Sequence, residues 1–347
     1  MKNNYIIVTG GSGFLGLNLV EFLLSKNFKV INIDKFSYCS TQEKFKPYVR
    51  HKNYYNYRFD LMNLGKLKKI IKKFKPSKIF NLAAISHVDR SIDNPSEVIK
   101  NNLLITLNII EMVRILKLRT KILHMSTDEV YGSIKKGSFK EKDILEPNSP
   151  YSSSKASTDL IVRSYAKTFG IDAIVLRCCN IFGPYQFMEK FIPTIINKIQ
   201  SNQKVPIYGN GRNVREWIYV KSLVEDIYYI SQKGKFNQIY NISSGLEVSN
   251  LELVKIILKI FNKISKTNFT IKNSINYVKD RPAHDYRYSI DFKKFNKIKK
   301  IKFSKKSLYT DLEKTCRWYL TNNEWIRSCY LNYKGQRQGT IKWKVLF

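Results

Sequence analysis

Between Tyr5 and Asp34 the chain runs through a strand, a glycine-rich turn, a helix, a second strand and an acid, an order that few folds accept. Tyr5-Ile6-Ile7-Val8 is short and apolar, as a strand buried on both faces must be. Thr9-Gly-Gly-Ser-Gly-Phe-Leu-Gly16 then opens a helix whose stripe is Leu15, Leu19, Phe22 and Leu23, and Lys29 to Ile33 forms the next strand. Gly10, Gly13 and Gly16 stand three apart, so backbone can approach a pyrophosphate at a helix N-terminus. Asp34 ends the second strand, where a carboxylate accepts hydrogen bonds from ribose hydroxyls and repels a 2′-phosphate. That favours NAD over NADP, and the neighbouring Lys35 weakens the preference slightly.

Further strands are predicted at Lys78 to Leu82, Lys121 to Met125 and Ala173 to Leu176, with helices near 66–75, 96–118 and 152–169. Such alternation implies an α/β fold, a Rossmann-type doubly wound parallel sheet covered on both faces. Asp60 and Leu61 close a third strand and are placed to meet an adenine, while Leu82, Ala83 and Ala84 leave room for a cofactor at another strand end. Beyond about Phe182-Gly183-Pro184 the rhythm loosens under repeated Gly and Pro. We therefore expect a dinucleotide-binding domain over 1–182 and a smaller mixed α/β substrate-binding lobe over 183–330, with elements near 216–242 returning to the large domain and 331–347 as a tail.

Chemistry concentrates at Ser126-Thr-Asp-Glu-Val-Tyr-Gly132 and Tyr151-Ser-Ser-Ser-Lys155. Tyr151 and Lys155 share a helix face, and an ammonium beside a phenol favours phenolate, a base for a hydroxyl proton. A tyrosine and a lysine four apart also arise on any plain helix. Asp128 beside Glu129 makes the pattern specific, because one carboxyl can hold a proton while the other is ionised, which suits elimination of water.

The net charge of +34 invites a nucleic-acid or membrane-surface reading. Much of it lies in amphipathic runs such as Lys66 to Lys78 and Lys293 to Lys306, which read as solvated helix faces in a Lys-, Asn- and Ile-rich chain. No known nucleic-acid motif and no long uncharged apolar run accompanies it, so neither nucleic acid nor membrane is an expected partner. The five cysteines form no C-x-x-C pair and no metal-ligand spacing with the four histidines, so no metal is expected and the thiols read as reduced and cytoplasmic.

Taken together, these residues resemble the extended short-chain dehydrogenase/reductase family, and within it the branch that dehydrates dTDP-glucose. The resemblance runs from Ile6 to about Trp325 and rests on Thr9–Gly16, Asp34-Lys35, Leu82–Ser91, Ser126–Gly132, Tyr151–Lys155, Asn180-Ile-Phe-Gly-Pro184, Pro206-Ile-Tyr208 and Asp280-Arg-Pro-Ala-His284. Tyr333-Lys-Gly-Gln-Arg337 also resembles the family's C-terminal end. Related epimerases, decarboxylases and GDP-mannose dehydratases usually carry a small residue where this chain has Asp128.

The resemblance implies that Tyr151 takes the C4 hydroxyl proton, Thr127 holds the C4 oxygen, Glu129 removes the C5 proton and Asp128 protonates the departing C6 hydroxyl. It places Phe14, Leu15 and Ser86 with the cofactor residues named above, and Tyr151 and Lys155 against the cofactor as well. Arg215 and Arg281 are implied to grip the nucleotide-sugar substrate, with Ser86, Asn180, Lys190, Asn250 and His284 completing its pocket and Pro206 and Tyr208 lining the base. His87 is expected to order a loop rather than carry a proton. Ile181 and Tyr286 depart from the family's usual residues, which leaves thymine against uracil open. The alternatives are the same reaction on UDP-glucose or another nucleotide sugar, a 4-epimerase, or an idle NAD-binding protein. The helices near 96–118 and 152–169 carry apolar residues fit for a homodimer's intersubunit bundle or for packing within one subunit.

Overall fold

The computed structural model describes residues 4–40, 48, 50–301 and 303–332. Seven strands form one parallel sheet: β1 (Tyr5–Thr9), β2 (Lys29–Asp34), β3 (Tyr54–Arg58), β4 (Lys78–Asn81), β5 (Lys121–Thr127), β6 (Ala173–Cys178) and β10 (Gln238–Ile242). Their spatial order is β10-β6-β5-β4-β1-β2-β3. The central strands are buried on both faces, so their Ile, Val, Leu and Phe runs are continuous rather than alternating. The order reverses between β1 and β4, and in a sheet of this Rossmann type the crevice at that reversal, beyond the carboxyl ends of the strands, receives ligands.

Two smaller sheets stand apart. One is β7 (Asn180–Phe182), β9 (Val214–Tyr219) and β11 (Glu247–Ser249); the other pairs β8 (Val205–Tyr208) with β12 (Ile275–Val278). They pack with helices Phe191–Gln200, Asn250–Ser265 and Lys305–Thr321 around a second core that includes Ile195, Trp217, Ile257, Leu312 and Tyr319. Residues 214–242 divide between the sheets: β9 lies in a small one, whereas β10 edges the large one beside β6.

The helices predicted near 66–75, 96–118 and 152–169 run Leu64–Phe74, Pro95–Ile115 and Pro150–Phe169. The last starts early because Ser149 caps it: its Oγ accepts from the Ser152 amide at 3.1 Å while Ser152 Oγ accepts from the Ser149 amide at 2.9 Å, with Pro150 in the first turn. Gly170, at φ +65, ends it. The run from Lys293 is not one solvated helix. Among the described residues only Lys293–Asn296 is helical before the helix that starts at Lys305, and Lys299 reaches the buried Asp226 at 2.5 Å.

Candidate active site

The turn after β1 is closed by its own backbone. Gly13 donates to the Gly10 carbonyl at 3.1 Å, and a Cβ on Gly16 would stand 2.1 Å from that same oxygen. Gly10, at φ +68, lies so near β4's exit that a Cβ would meet Ala83 Cα at 2.8 Å. Gly13 caps helix Phe14–Ser25 without a side chain, so the first-turn amides, including those of Phe14, Leu15 and Gly16, face the crevice. Asp34 is buried; its Oδ2 accepts from the Ser12 amide at 2.9 Å and its Oδ1 from the Phe36 amide at 2.7 Å. These bonds aim the carboxylate and leave lone pairs for hydroxyl donors. A helix N-terminus beside an oriented carboxylate fits the pyrophosphate and a ribose of a dinucleotide.

Lys35 turns away, donating to Asn101 Oδ1 at 2.9 Å and standing 3.4 Å from Asp60. β3 stops at Arg58, so Asp60 and Leu61 lie in the turn beyond it; Asp60 Oδ1 accepts from the Met62 amide, and the Leu61 side chain packs into the core. Leu82 and Ala83 leave β4 beside Thr9, whose carbonyl and hydroxyl accept from their amides at 3.3 and 3.4 Å. Ala84 follows half-buried, and Ser86 is exposed and gives its carbonyl to Lys190 Nζ at 2.7 Å.

β5 delivers the acid-base group. Thr127 ends the strand and caps a single 3-10 turn, Asp128–Tyr131; its Oγ1 donates to Asp128 Oδ1 at 3.1 Å and accepts from the Glu129 amide at 3.3 Å. Asp128 is buried, and its Oδ2 has no hydrogen-bond partner among the described residues. Burial, then the charges of Glu129 and Glu216, hold its carboxyl well above the usual carboxylate range. Burial also raises Glu129, but Arg281, Arg215 and Lys190 pull it back toward the ionised form. Two adjacent carboxyls thus sit in unlike surroundings, Asp128 the better proton donor and Glu129 the better base.

Tyr151 and Lys155 project from helix Pro150–Phe169 and are both buried. The spacing argument predicts a phenol lowered by the ammonium, and the structure gives the opposite shift. Burial, then Glu129 and Asp128, push the Tyr151 phenol up, with a hydrogen bond to Thr127 opposing them. Lys155 donates to the Met125 carbonyl at 2.5 Å, and its own burial brings it down to about 8.

Opposite this group stand the cations. Arg215 on β9 donates to the carbonyls of Val214, Tyr286 and Asp285 and lies 4.1 Å over the Tyr288 ring. Arg281 donates to Asp89 at 3.4 Å, and its Nε is buried without a partner among the described residues. Tyr208 gives its hydroxyl to the other oxygen of Asp89 at 2.9 Å, and Pro206 is two residues earlier on β8. His284 meets Asp280 at 2.6 Å and lies edge-on to Tyr208; burial and Arg281 bring it down to about 4, so it is neutral near pH 7. The Asn180 side-chain oxygen, at the start of β7, is likewise buried without a partner among the described residues. Asn250 opens helix Asn250–Ser265, its amide donating to the Asn213 carbonyl. His87 is brought down to about 3 by burial and lies 3.4 Å from the Glu189 carbonyl, a loop contact of an uncharged ring. Tyr333–Arg337 lies outside the described residues.

A family profile described as GDP-mannose 4,6 dehydratase matches residues 7–312. The chain belongs to the GDP-mannose 4,6-dehydratase family. Among its relatives, the dTDP-glucose 4,6-dehydratase of Salmonella typhimurium is 35% identical over 344 residues, covering 93% of this chain and 94% of that one. A dTDP-glucose 4,6-dehydratase from Bacillus anthracis, solved in complex with NAD, superposes with a TM-score of 0.84 at 36% identity, over 94% of this chain and 99% of that one. The Streptomyces venezuelae dTDP-glucose 4,6-dehydratase, solved with NAD and a second ligand, gives 0.87 at 34% identity over 94% and 99%.

Three acids of this dehydratase-family site were not singled out by sequence. Asp89 joins Arg281 to Tyr208. Glu189 accepts from Tyr38 at 2.6 Å and from Arg90 at 3.0 Å, drawing the loop after β2 onto the loop before helix Phe191–Gln200. Glu216, buried on β9, accepts from Ser243, Ser289 and the Ile290 amide. The one signal was a pair of adjacent charged residues inside a short strand, which is how Arg215 and Glu216 stand in Val-Arg-Glu-Trp-Ile-Tyr.

Proposed function

We propose that this chain is an NAD-dependent hydro-lyase that converts dTDP-glucose to dTDP-4-keto-6-deoxyglucose and water. The observation that carries the reading is the buried Asp128-Glu129 pair, a proton donor and a base on one turn, facing Tyr151 and three cations. An epimerase has no water to eliminate and no use for the second carboxyl. The relatives named dTDP-glucose 4,6-dehydratase, matched over nearly the whole chain, support the same substrate.

NAD bound across the β1–β4 crevice would supply the hydride acceptor for C4 and return the hydride to C6. Gly10 to Gly16 would hold its pyrophosphate and Asp34 its ribose, with Lys35, Asp60, Leu61, Leu82, Ala83, Ala84 and Ser86 around it. Thr127 orients the C4 oxygen and Tyr151 takes its proton as the phenolate, a form that the positive charge of bound NAD⁺ would favour against the burial that raises the phenol. With C4 a carbonyl, the C5 proton is acidified. Glu129 removes it and gives it back to C5 as the hydride returns to C6, and Asp128 gives its proton to the departing C6 oxygen. Arg215, Arg281 and Lys190 neutralise the diphosphate, Asn180, Asn250 and His284 complete the pocket, and Pro206 and Tyr208 line the base, in a lobe drawn mainly from residues 183–330.

We further infer a cytoplasmic homodimer. Cys39, Cys178, Cys179 and Cys316 are free thiols, as a reducing compartment keeps them. No helix among the described residues is long and apolar enough to cross a membrane. The decisive assay compares dTDP-glucose, UDP-glucose and their N-acetylglucosamine counterparts without added reductant. Asp128→Asn and Glu129→Gln should each lower kcat on dTDP-glucose by about 10²–10⁴-fold. Unchanged turnover in both, with substrate bound, rejects the mechanism.

A further inference from the structure

Arg177 is the largest side chain buried almost completely, 1% exposed on β6 and directly opposite Ser126 of β5 in the sheet register. The chemistry proposed above assigns it no step. Its Nε donates to Asp159 Oδ2 at 2.8 Å, and its NH1 donates to the Tyr131 hydroxyl at 2.7 Å. These partners belong to different halves of the site. Asp159, itself wholly buried, lies one turn beyond Lys155 on the helix that carries Tyr151. Tyr131 closes the 3-10 turn that carries Asp128 and Glu129.

The Tyr131 hydroxyl has no freedom left. It accepts from Arg177 and donates to Asn241 Oδ1 at 2.8 Å, while Asn241 Nδ2 donates to the carbonyls of Phe139 and Asp291. The Tyr131 ring stacks on Phe139 at 5.1 Å and lies beneath the Arg177 guanidinium at 4.7 Å. NH1 also donates to the Glu141 carbonyl at 3.3 Å. Only a planar, charged fork reaches an acid on one side and a phenol on the other, which a lysine ammonium does not reproduce. Apolar packing generally stabilises a core at least as well as a buried ion pair does, so bulk stability does not account for this one.

We propose that Arg177, through Tyr131 and Asp159, is a positioning residue that sets the turn carrying Asp128 and Glu129 against the helix carrying Tyr151 and Lys155. The inference rests on the dehydratase reading, because only a two-stage reaction needs both halves held in register around one sugar. Elimination at C5 and C6 depends on the turn, whereas removal of the C4 hydroxyl proton depends on the helix. Loosening the turn alone should therefore slow the later stage and leave the first running.

Tyr131→Phe removes the hydroxyl and keeps the stacked ring. The holoenzyme variant should unfold near the wild-type temperature and keep its KM for dTDP-glucose, while kcat falls about 10–100-fold. The near-ultraviolet absorbance of reduced nicotinamide should build up during turnover, and amide exchange across residues 128–132 should quicken by mass spectrometry. Arg177→Lys, which keeps the charge and loses the fork to both halves, should likewise lower kcat and quicken that exchange. Wild-type kcat with unchanged exchange in a folded Tyr131→Phe overturns the proposal, as does a lowered kcat without reduced nicotinamide, or full rate in Arg177→Lys. If wild type itself leaves dTDP-glucose untouched, the functional reading fails, and the exchange experiment alone still decides whether Arg177 holds the turn.

Discussion

Glu216 shows how much one buried carboxyl does for its neighbours. It accepts three hydrogen bonds and still titrates late, pushed up to about 7 by burial, and its charge raises Asp128 in turn. Its folded pKa lies above the ordinary 4.5, so the stability it contributes is complete below that value and is lost as pH rises through about 7. The shift corresponds to roughly 3 kcal/mol. Glu216→Gln should therefore stabilise the fold at pH 8 and change little at pH 4.5, measured by urea unfolding across that range. Equal effects at both pH values would show that the carboxyl titrates alike in the folded and unfolded chain, contrary to the shift. Tyr151 and Lys155 show the limit of spacing arguments at this scale: four residues apart put them on one face, but burial and two carboxyls decide the phenol's shift.

Among the elements, the glycine turn is specified most tightly by sequence. At Gly10 and Gly16 backbone stands against backbone, and the Gly16 contact leaves no side chain to give way. Gly16→Ala should cost about 1–3 kcal/mol through overpacking and should also lower NAD retention. Thermal unfolding and the NAD content of the purified variant check both, and a variant retaining NAD at wild-type stability would contradict the contact. The strands after β4 and β5 were legible from their apolar runs, whereas the 3-10 turn was not, because Thr127's two hydrogen bonds rather than any periodicity shape it. The lysines after Lys293 misled for a related reason: amphipathic spacing says nothing of Asp226, which draws Lys299 inward from 73 residues away in sequence.

For the whole molecule, helices Pro95–Ile115 and Pro150–Phe169 pack together while leaving apolar side chains outward: Leu104 is 43% exposed and Leu160 55%. An exposed pair of this kind on one helical layer suits a second copy of the chain. Replacing both with glutamate should halve the mass seen by light scattering on size exclusion and leave the subunit folded. A wild-type protein that already runs as a monomer would remove the homodimer. The charge of +34 includes the cations of the site, Arg215 and Arg281, which are held by carbonyls and by Asp89, and Lys190, which is held by the Ser86 carbonyl.

Contiguous residues carried the strand and helix order as far as about residue 182, the glycine turn, the acid at the end of β2 and the residue types gathered for chemistry, because the spacing of each matches one backbone geometry. The unlike surroundings of the two carboxyls, the direction of the Lys155 ammonium and the placing of Asp89, Glu216 and Arg177 behind the site came from the tertiary structure. Those outcomes depend on burial and on partners up to 192 residues apart, as Arg281 is from Asp89. Desolvation and Coulomb forces act through space, and a local pattern carries no record of them.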